Sequence, residues 1–244
     1  MILEMCEERL EQYRELLENA VAYYTPDEVF IKYFNRIPKS RYHTFNYCFN
    51  YFETNDMKTM VELGTSRSFV DGRFPGCNLN DTSYWQPNNP SVWDWSAGCF
   101  TKVAATVFEN KSDFDFYTVD IDLNHIQRCQ RMNENSNKIK YVVSSSEEFL
   151  SSFDKKIDML YLDTGDMTPI EYTAELHLRE AKIIVERDLM SSNGIILIDD
   201  IRSVVPYEQH QGIELGKGYL SIPYFLQNGF KLIMDEYQTI LVKE

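Results

Sequence analysis

The sequence feature that most limits the fold is a regular alternation that begins after residue 56. Short apolar runs rich in β-branched residues alternate with longer amphipathic stretches. This pattern is typical of βαβ units, in which helices connect parallel strands. The alternation therefore predicts an α/β fold, with strands at residues 59–63, 116–121, 139–143, 157–162 and 194–198 and helices at residues 97–110, 123–135, 147–153 and 171–191.

The C-terminal residues add a second constraint on the sheet. Residues 230–234 and 237–242 are two apolar runs separated only by Asp235 and Glu236. A connection between parallel strands needs about a dozen residues or more, so these runs must pair as an antiparallel hairpin. The sequence therefore predicts a mainly parallel sheet of five strands that ends in an antiparallel pair.

The first 55 residues lack this alternation and have a helical pattern instead. Their apolar residues recur at three- and four-residue steps. The residues that show this spacing are Leu3, Cys6, Leu10, Tyr13 and Leu17. Further helical segments are expected after Asp27 and over residues 42–52. We therefore predict a helical N-terminal extension packed on the core, residues 1–55, followed by one domain, residues 56–244.

Residues 71–96 interrupt the α/β pattern of that domain. The segment contains three prolines, four asparagines and all three tryptophans, Trp85, Trp93 and Trp95. A segment of this length and composition is typical of an insertion loop. Its tryptophans either pack the loop onto the body of the protein or line a substrate pocket beneath a lid, and the sequence leaves both interpretations open.

Composition limits the partners and the location. The chain has 24 basic and 38 acidic residues, a formal net charge of −14, which repels nucleic acids and anionic membranes. A small molecule is therefore the expected partner, and a homo-oligomer remains open. No apolar stretch approaches the roughly 20 residues that span a bilayer and no secretory pattern is present, so a cytoplasmic protein is expected. Five scattered cysteines without a CxxC pair argue against a disulfide framework or a zinc site.

Two strand ends carry residues that suit a ligand. The first strand leads into Glu62, Gly64, Thr65 and Ser66, and the second ends at Asp120. Open α/β sheets bind ligands at the carboxyl ends of their strands, where an acid can hold a ribose diol. The glycine-rich dinucleotide fingerprint is absent, which disfavours pyrophosphate binding. An aspartate at the second strand end also serves as a turn or cap residue, so the diol interpretation has a structural alternative.

Together the two turns resemble the class I S-adenosylmethionine-dependent methyltransferases. The family pattern of an acidic residue, any residue and glycine matches 62–64, and its second acid matches Asp120. The resemblance covers about residues 59–244 and implies a Rossmann-like methyltransferase fold that binds S-adenosylmethionine. It implies adenine contacts for Ser146 and Glu147, although Ser-Glu before an apolar helix is equally a capping pattern. The implied cofactor-binding residues are Glu62, Gly64, Thr65, Ser66, Asp120, Ser146, Glu147 and Asp163.

Three acids are expected to converge at the next strand ends. Asp163 follows the fourth strand, and Asp199 and Asp200 follow the fifth. Clustered carboxylates repel one another unless a cation compensates them, and oxygen ligands suit Mg²⁺. The positions resemble those of the metal-dependent O-methyltransferases, which implies a divalent metal at all three acids. The alternative is that Asp163 contacts the cofactor while the other two acids only begin a loop.

Two residues are candidate general bases. His210 lies in the loop after the fifth strand, and histidine titrates near neutral pH. Asp166 stands where the catechol O-methyltransferases keep a basic lysine, and Asp200 stands where they have asparagine. The catechol mechanism therefore does not transfer unchanged to this chain.

These observations lead to one main functional hypothesis. We predict an S-adenosylmethionine-dependent O-methyltransferase, assisted by a divalent metal, that acts on a sugar or sugar nucleotide in polysaccharide or secondary-metabolite tailoring. The alternatives are a metal-independent small-molecule methyltransferase, a nicotinamide-dependent oxidoreductase and an inactive interaction module that keeps the fold.

Overall fold

The computed structural model describes residues 2–24, 31, 35–65, 69, 85–95, 99–167, 169–201 and 216–244. Within these residues the helices are α1 (Ile2–Glu11), α2 (Arg14–Tyr24), α3 (Arg41–Thr54), α4 (Phe100–Val107), α5 (Leu123–Met132), α6 (Ser146–Ser152), α7 (Ile170–Glu186) and α8 (Ser221–Gln227). The strands are β1 (Thr59–Leu63), β2 (Asp115–Asp120), β3 (Ile139–Val143), β4 (Ile157–Leu162), β5 (Met190–Ile198), β6 (Phe230–Asp235) and β7 (Thr239–Lys243).

The strands form one sheet in the order β3-β2-β1-β4-β5-β7-β6. Strands β1 to β5 are parallel, and β7 is antiparallel to both β5 and β6. The predicted α/β fold with a C-terminal antiparallel hairpin is therefore confirmed. Strands β1, β2 and β3 follow one another toward one edge of the sheet, whereas β4 and β5 follow one another toward the other edge. The strand order therefore reverses between β1 and β4. An open parallel sheet has its ligand crevice at the carboxyl ends of the strands beside such a reversal.

The central strands are apolar on both faces because helices cover both sides of the sheet. Every residue of β1 is buried, and neighbouring residues point to opposite layers. Met60 belongs to one core cluster, whereas Val61 and Leu63 belong to the other. Along β5, Ile195 and Ile196 divide between the layers in the same way. The period-two pattern of the strands thus produces two cores, one on each face.

The core on one face is mainly aromatic and is built largely by α3. The buried face of α3 includes Tyr42, Phe45, Phe49 and Phe52, which follow one another at three- and four-residue steps. The Phe45 ring lies edge-on to Phe100, with 5.2 Å between the ring centroids. The N-terminal helices therefore share one hydrophobic core with the sheet.

The structure differs from the sequence predictions at element ends and at one helix. The hairpin strand β7 begins at Thr239 rather than residue 237, because Tyr237 and Gln238 belong to the turn. Helix α8 was not predicted, since its seven residues include Pro223 and give too short a periodic pattern. The four cysteines among the described residues are free and buried. Among those same residues, no helix has both the length and the apolar character needed to cross a membrane.

Candidate functional site

The turn after β1 holds Gly64 in a conformation that requires glycine. Its φ angle is +87°, in the left-handed region that side chains disfavour. A Cβ atom here would lie 2.5 Å from the carbonyl oxygen of Asp163. The close neighbour is the backbone that follows β4, so the protein itself fills the space beside Gly64. Gly64 therefore brings the ends of β1 and β4 together at the sheet reversal.

Asp120 links the turns after β1 and β2. Its Oδ2 accepts a hydrogen bond from the backbone N–H of Thr65 at 3.1 Å. Its Oδ1 accepts from the backbone N–H of Asp122 at 2.8 Å and lies 3.1 Å from Nδ1 of His125. The two turns that carry the family resemblance are thus adjacent. Asp120 also stabilises a turn, which is the structural role that the sequence left open for it.

Glu62 lies beneath this pair of turns and is fully buried. Its Oε2 accepts hydrogen bonds from the hydroxyls of Thr101 and Thr118. Its Oε1 has no partner within the part of the chain that the structure describes. Burial raises the pKa of Glu62 to about 8, against the two threonine hydrogen bonds, which lower it. The carboxyl group is therefore mostly protonated at neutral pH.

Glu62→Gln should change how stability depends on pH. The folded wild type keeps a proton on Glu62 that the unfolded chain loses near pH 4.5, so the wild type loses stability as pH rises toward about 8. Glutamine does not titrate. We expect the unfolding free energy of the variant, relative to wild type, to increase across this window in urea titrations. Glu175→Gln, an exposed glutamate on α7, is the matched control, and equal pH profiles for both variants would contradict the assignment.

Ser146 and Glu147 both have partners within the fold. Ser146 hydrogen-bonds the buried carboxyl of Glu180, and Glu147 Oε1 accepts from Nε of Arg179 at 2.9 Å. Ser145 caps α6 by accepting from the backbone N–H of Glu148 at 3.2 Å. The capping interpretation of this stretch is confirmed, and the adenine contacts stay a prediction.

The three acids after β4 and β5 do converge. One oxygen from each of Asp163, Asp199 and Asp200 lies within 4.8 Å of the others. Asp199 is almost completely buried, and Asp163 and Asp200 are partly buried. The predicted acidic cluster therefore exists at the carboxyl edge of the sheet, beside Gly64.

Two cations that sequence reasoning missed neutralise this cluster. Arg41, from the first turn of α3, donates to both carboxylate oxygens of Asp199, at 3.1 and 2.6 Å. Lys217 Nζ lies 2.6 Å from Asp163 Oδ1 and 3.0 Å from Asp200 Oδ2. The side chains of Arg41 and Lys217 are only 4% and 5% exposed. These are buried ion pairs, in which each charge depends on its partner.

The hairpin turn supplies neutral donors to the same acids. Tyr237 donates its hydroxyl to Asp200 Oδ1 at 2.6 Å, and Gln238 Nε2 donates to Asp199 Oδ1 at 2.8 Å. Burial opposes ionisation of Asp200, but Lys217 and Arg41 outweigh it and hold the pKa of Asp200 well below its ordinary value. Burial likewise disfavours the Lys217 ammonium, but Asp163 and Asp200 raise its pKa above the ordinary value. Asp200 and Lys217 are therefore charged at neutral pH, whereas burial, with Asp199 and Asp200, raises the pKa of Asp163 to about 7 against the lowering effect of Lys217.

The arrangement of donors does not fit a divalent ion as it stands. Mg²⁺ requires several oxygens at about 2.0–2.1 Å with lone pairs directed at the ion. Lys217 already bridges one oxygen of Asp163 and one oxygen of Asp200. Both oxygens of Asp199 are taken by Arg41. A metal at these acids would therefore compete with the ammonium group of Lys217 for the same carboxylates.

The sequence contains a partial signal for Lys217 but none for Arg41. Lys217 stands between Gly216 and Gly218, and a Cβ on Gly216 would collide with the backbone of Ile201. Such glycines permit close backbone contact and can therefore mark a functional segment. Arg41 is a single basic residue at a helix start, and its pairing across 158 positions of sequence has no local pattern.

The tryptophans of the insertion segment are all buried and lie next to one another. The ring centroids of Trp85 and Trp93 are 4.8 Å apart, and those of Trp93 and Trp95 are 5.9 Å apart. Trp95 also lines a small cavity together with Arg41 and Tyr161. Arg41 Nη1 is buried there without a partner among the described residues. The packing interpretation is thus confirmed for the described tryptophans, one of which also borders this cavity.

The remaining predicted residues divide into two groups. Asp166 is exposed after β4, and its backbone carbonyl accepts from the Thr173 hydroxyl at 2.6 Å. Ser66, His210, the helical segment expected after Asp27 and most of the insertion loop lie outside the described residues. The roles of His210 and Asp166 as bases therefore stay predictions.

Neither a protein-family model nor a curated protein matches the chain. A solved structure of a candidate caffeoyl-CoA O-methyltransferase from Staphylococcus aureus is similar, with a TM-score of 0.52 and 14% identity over 96% of this chain and 99% of that one. The chain has the class I methyltransferase fold. The solved structure of a candidate O-methyltransferase from Klebsiella pneumoniae gives a TM-score of 0.49 and 11% identity. The alignment covers 99% of this chain and 89% of that one.

A fibrillarin from Aeropyrum pernix, solved with S-adenosyl-L-methionine, gives a TM-score of 0.44 and 11% identity over 77% of this chain and 66% of that one. At 14% identity, the likeness to the Staphylococcus aureus structure shows the fold alone. The chemistry must therefore be inferred from the residues at the carboxyl edge of the sheet.

Proposed function

We propose that this protein transfers the methyl group of S-adenosylmethionine to a hydroxyl of a small polar acceptor. The observation that carries the proposal is the grouping of residues at one sheet edge. The turns at Gly64 and Asp120 lie on one side of the sheet reversal, and the charged cluster of Asp163, Asp199, Asp200 and Lys217 lies on the other. A cofactor site and a polar acceptor site would therefore be adjacent.

The residues around the first turn have the chemistry to hold this cofactor. Asp120 offers a carboxylate for the ribose hydroxyls at the end of β2. Glu62 presents a buried oxygen without a partner among the described residues, and an orphan of this kind is uncommon unless a ligand or water completes it. Neither residue supplies the fixed positive charge that a pyrophosphate needs. These features favour a nucleoside over a dinucleotide.

The acceptor class is argued from the polar side of the crevice. Carboxylates and an ammonium group provide both acceptors and donors for hydroxyls, a combination that suits a polyol. We propose a sugar or sugar nucleotide of polysaccharide or secondary-metabolite tailoring as the acceptor.

The contribution of the protein to this reaction is mainly positional. S-adenosylmethionine supplies an electrophilic methyl group on a sulfonium. Asp120 and the Gly64 turn would fix the cofactor, while Lys217 and its acids would orient the acceptor hydroxyl toward that methyl group. The hydroxyl proton must pass to a base, for which His210 and Asp166 are the proposed acceptors. Lys217 and Arg41 supply the counter-charges to these acids that the sequence suggested a metal would supply.

Asp120→Ala tests the cofactor assignment directly. We expect the affinity for S-adenosylhomocysteine to fall by about 1.5 to 3 kcal/mol, which is roughly 10- to 150-fold in Kd, because charge-assisted hydrogen bonds to the ribose are lost. Isothermal titration calorimetry with S-adenosylhomocysteine measures this change. The loss should appear in Kd, with the variant still folded by circular dichroism.

Asp115→Ala provides a control on the same strand. Asp115 lies at the opposite end of β2, where it pairs with Lys140 and Lys155 at the surface. Its replacement should leave S-adenosylhomocysteine affinity unchanged. If folded Asp120→Ala binds as tightly as wild type, Asp120 is not part of the site. Wild type that binds NADH instead would favour an oxidoreductase, and wild type that binds neither would favour an interaction module.

A further inference from the structure

Lys217 lies within the cluster of acids that could otherwise hold a metal ion. Its ammonium nitrogen lies between Asp163 Oδ1 and Asp200 Oδ2, at 2.6 and 3.0 Å. Asp163 and Asp200 are two of the three acids that could hold a divalent ion, and both are already paired with this ammonium group. The side chain is almost completely buried, so the ammonium group is part of the folded core and not a mobile surface charge.

We propose that Lys217 is a built-in cation that replaces a divalent metal in this methyltransferase fold. The role of Lys217 toward the acceptor rests on the proposed O-methyltransferase function. The exclusion of a metal ion by Lys217 depends only on the folded chain and can be tested without that function. Lys217 would hold the acid cluster in place and present an N–H donor to the acceptor hydroxyl. Unlike a chelating metal, a single ammonium contact does not require two adjacent hydroxyls in the acceptor.

The charge balance of the cluster supports this proposal. Arg41 and Lys217 together bring the same positive charge as one divalent ion. Arg41 and Lys217 therefore neutralise as much of the negative charge of the three acids as one Mg²⁺ ion would. Adding a divalent ion without removing Lys217 would place a second strong cation within a few ångströms of the ammonium, which is unfavourable in a partly buried site.

The backbone fixes Lys217 in this position. The N–H of Lys217 donates to the carbonyl oxygen of Asp200 at 3.3 Å. Gly216 packs so closely against Ile201 that any side chain would collide with its backbone. The segment is therefore held against the end of β5, and the ammonium group follows from that placement. A flexible surface lysine could yield to a metal, whereas this one is built into the turn.

Titration with Mn²⁺ alone tests the proposal on the full chain. Electron paramagnetic resonance reports free Mn²⁺, so retention of the ion by the protein is measured without any acceptor. We expect the wild type to retain no Mn²⁺ up to about 1 mM, the range of weak sites. Lys217→Met should create a site that binds at least about tenfold more tightly, and Mn²⁺ should raise the melting temperature of that variant only.

Three further proteins make the result specific. Lys217→Arg keeps the positive charge and should still exclude Mn²⁺. Lys217→Met combined with Asp163→Asn should lose the new site, since an acid ligand is gone. Lys111→Met removes another largely buried lysine, which pairs with Glu53 at 3.2 Å far from the cluster, and should gain no Mn²⁺ affinity.

The opposite results are equally clear. Wild type that binds Mn²⁺ at micromolar concentration, and loses it with Asp163→Asn, would overturn the proposal even if Lys217→Met does not fold. A folded Lys217→Met that gains no Mn²⁺ affinity would overturn it as well. S-adenosylhomocysteine calorimetry on the same samples tests the proposed function separately, so a failure of one is not mistaken for a failure of the other.

Discussion

Replacing Arg41 with methionine is expected to lower the free energy of unfolding by about 3 to 5 kcal/mol. Arg41 donates to both oxygens of Asp199, and this carboxylate is only 1% exposed. Without the guanidinium, Asp199 keeps the Gln238 hydrogen bond but has lost its principal counter-charge. A buried charge without a partner is far more costly than the pair itself is favourable. Urea denaturation followed by circular dichroism measures the loss.

The variant Arg41→Met with Asp199→Asn separates the charge effect from simple loss of packing. Removing both charges should recover at least half of the stability lost in Arg41→Met, because no uncompensated ion remains. Arg179→Met is the matched control, since Arg179 pairs with Glu147 at the surface and should change stability by about 1 kcal/mol or less. Equal stability of Arg41→Met and Arg179→Met would show that the pair with Asp199 is not important for folding.

Phe49→Ala should have an effect of similar size from a different cause. Phe49 is 1% exposed and lies against Phe108 and Phe100, with ring centroids 5.3 and 5.8 Å away. Truncation removes the buried ring and leaves a cavity that rigid aromatic neighbours cannot fill. We expect a loss of about 3 to 5 kcal/mol in unfolding free energy, measured by urea denaturation.

The control for this substitution is Tyr172→Ala on α7. Tyr172 is an aromatic residue whose side chain is mostly exposed, at 59%. Its removal should change stability by about 0.5 kcal/mol or less. A small effect of Phe49→Ala, within the range of this control, would mean that α3 is not part of the cooperative core that the aromatic contacts indicate.

The fold could be predicted from the sequence because its signals are local. Strand β1 follows from four apolar or β-branched residues among the five before Gly64, and the hairpin follows from two runs separated by Asp235 and Glu236. Both patterns specify structure within a few residues. Element ends were less accurate, as at Tyr237, because the side chain that leaves the strand is held by a tertiary contact with Asp200.

The candidate site could be predicted only in part, because some of its contacts join residues that are far apart in the sequence. The acids at Asp163, Asp199 and Asp200 were located because parallel strands end at one edge, which is a topological rule. Their cations come from a helix start and from a loop, and neither position is fixed by strand order. The sequence therefore indicated the three acids but not the two cations that neutralise them. The apparent excess of negative charge is what suggested a metal ion.

The reach of Arg41 from α3 into the acid cluster has a consequence for protein engineering. A segment boundary drawn near residue 55 separates two sequence patterns, but a fragment starting there would carry Asp199 without the guanidinium that neutralises it. The α/β part is therefore not a module that can be excised or grafted by itself. Any chimera that exchanges the N-terminal helices must either keep an arginine at this position or neutralise Asp199 at the same time.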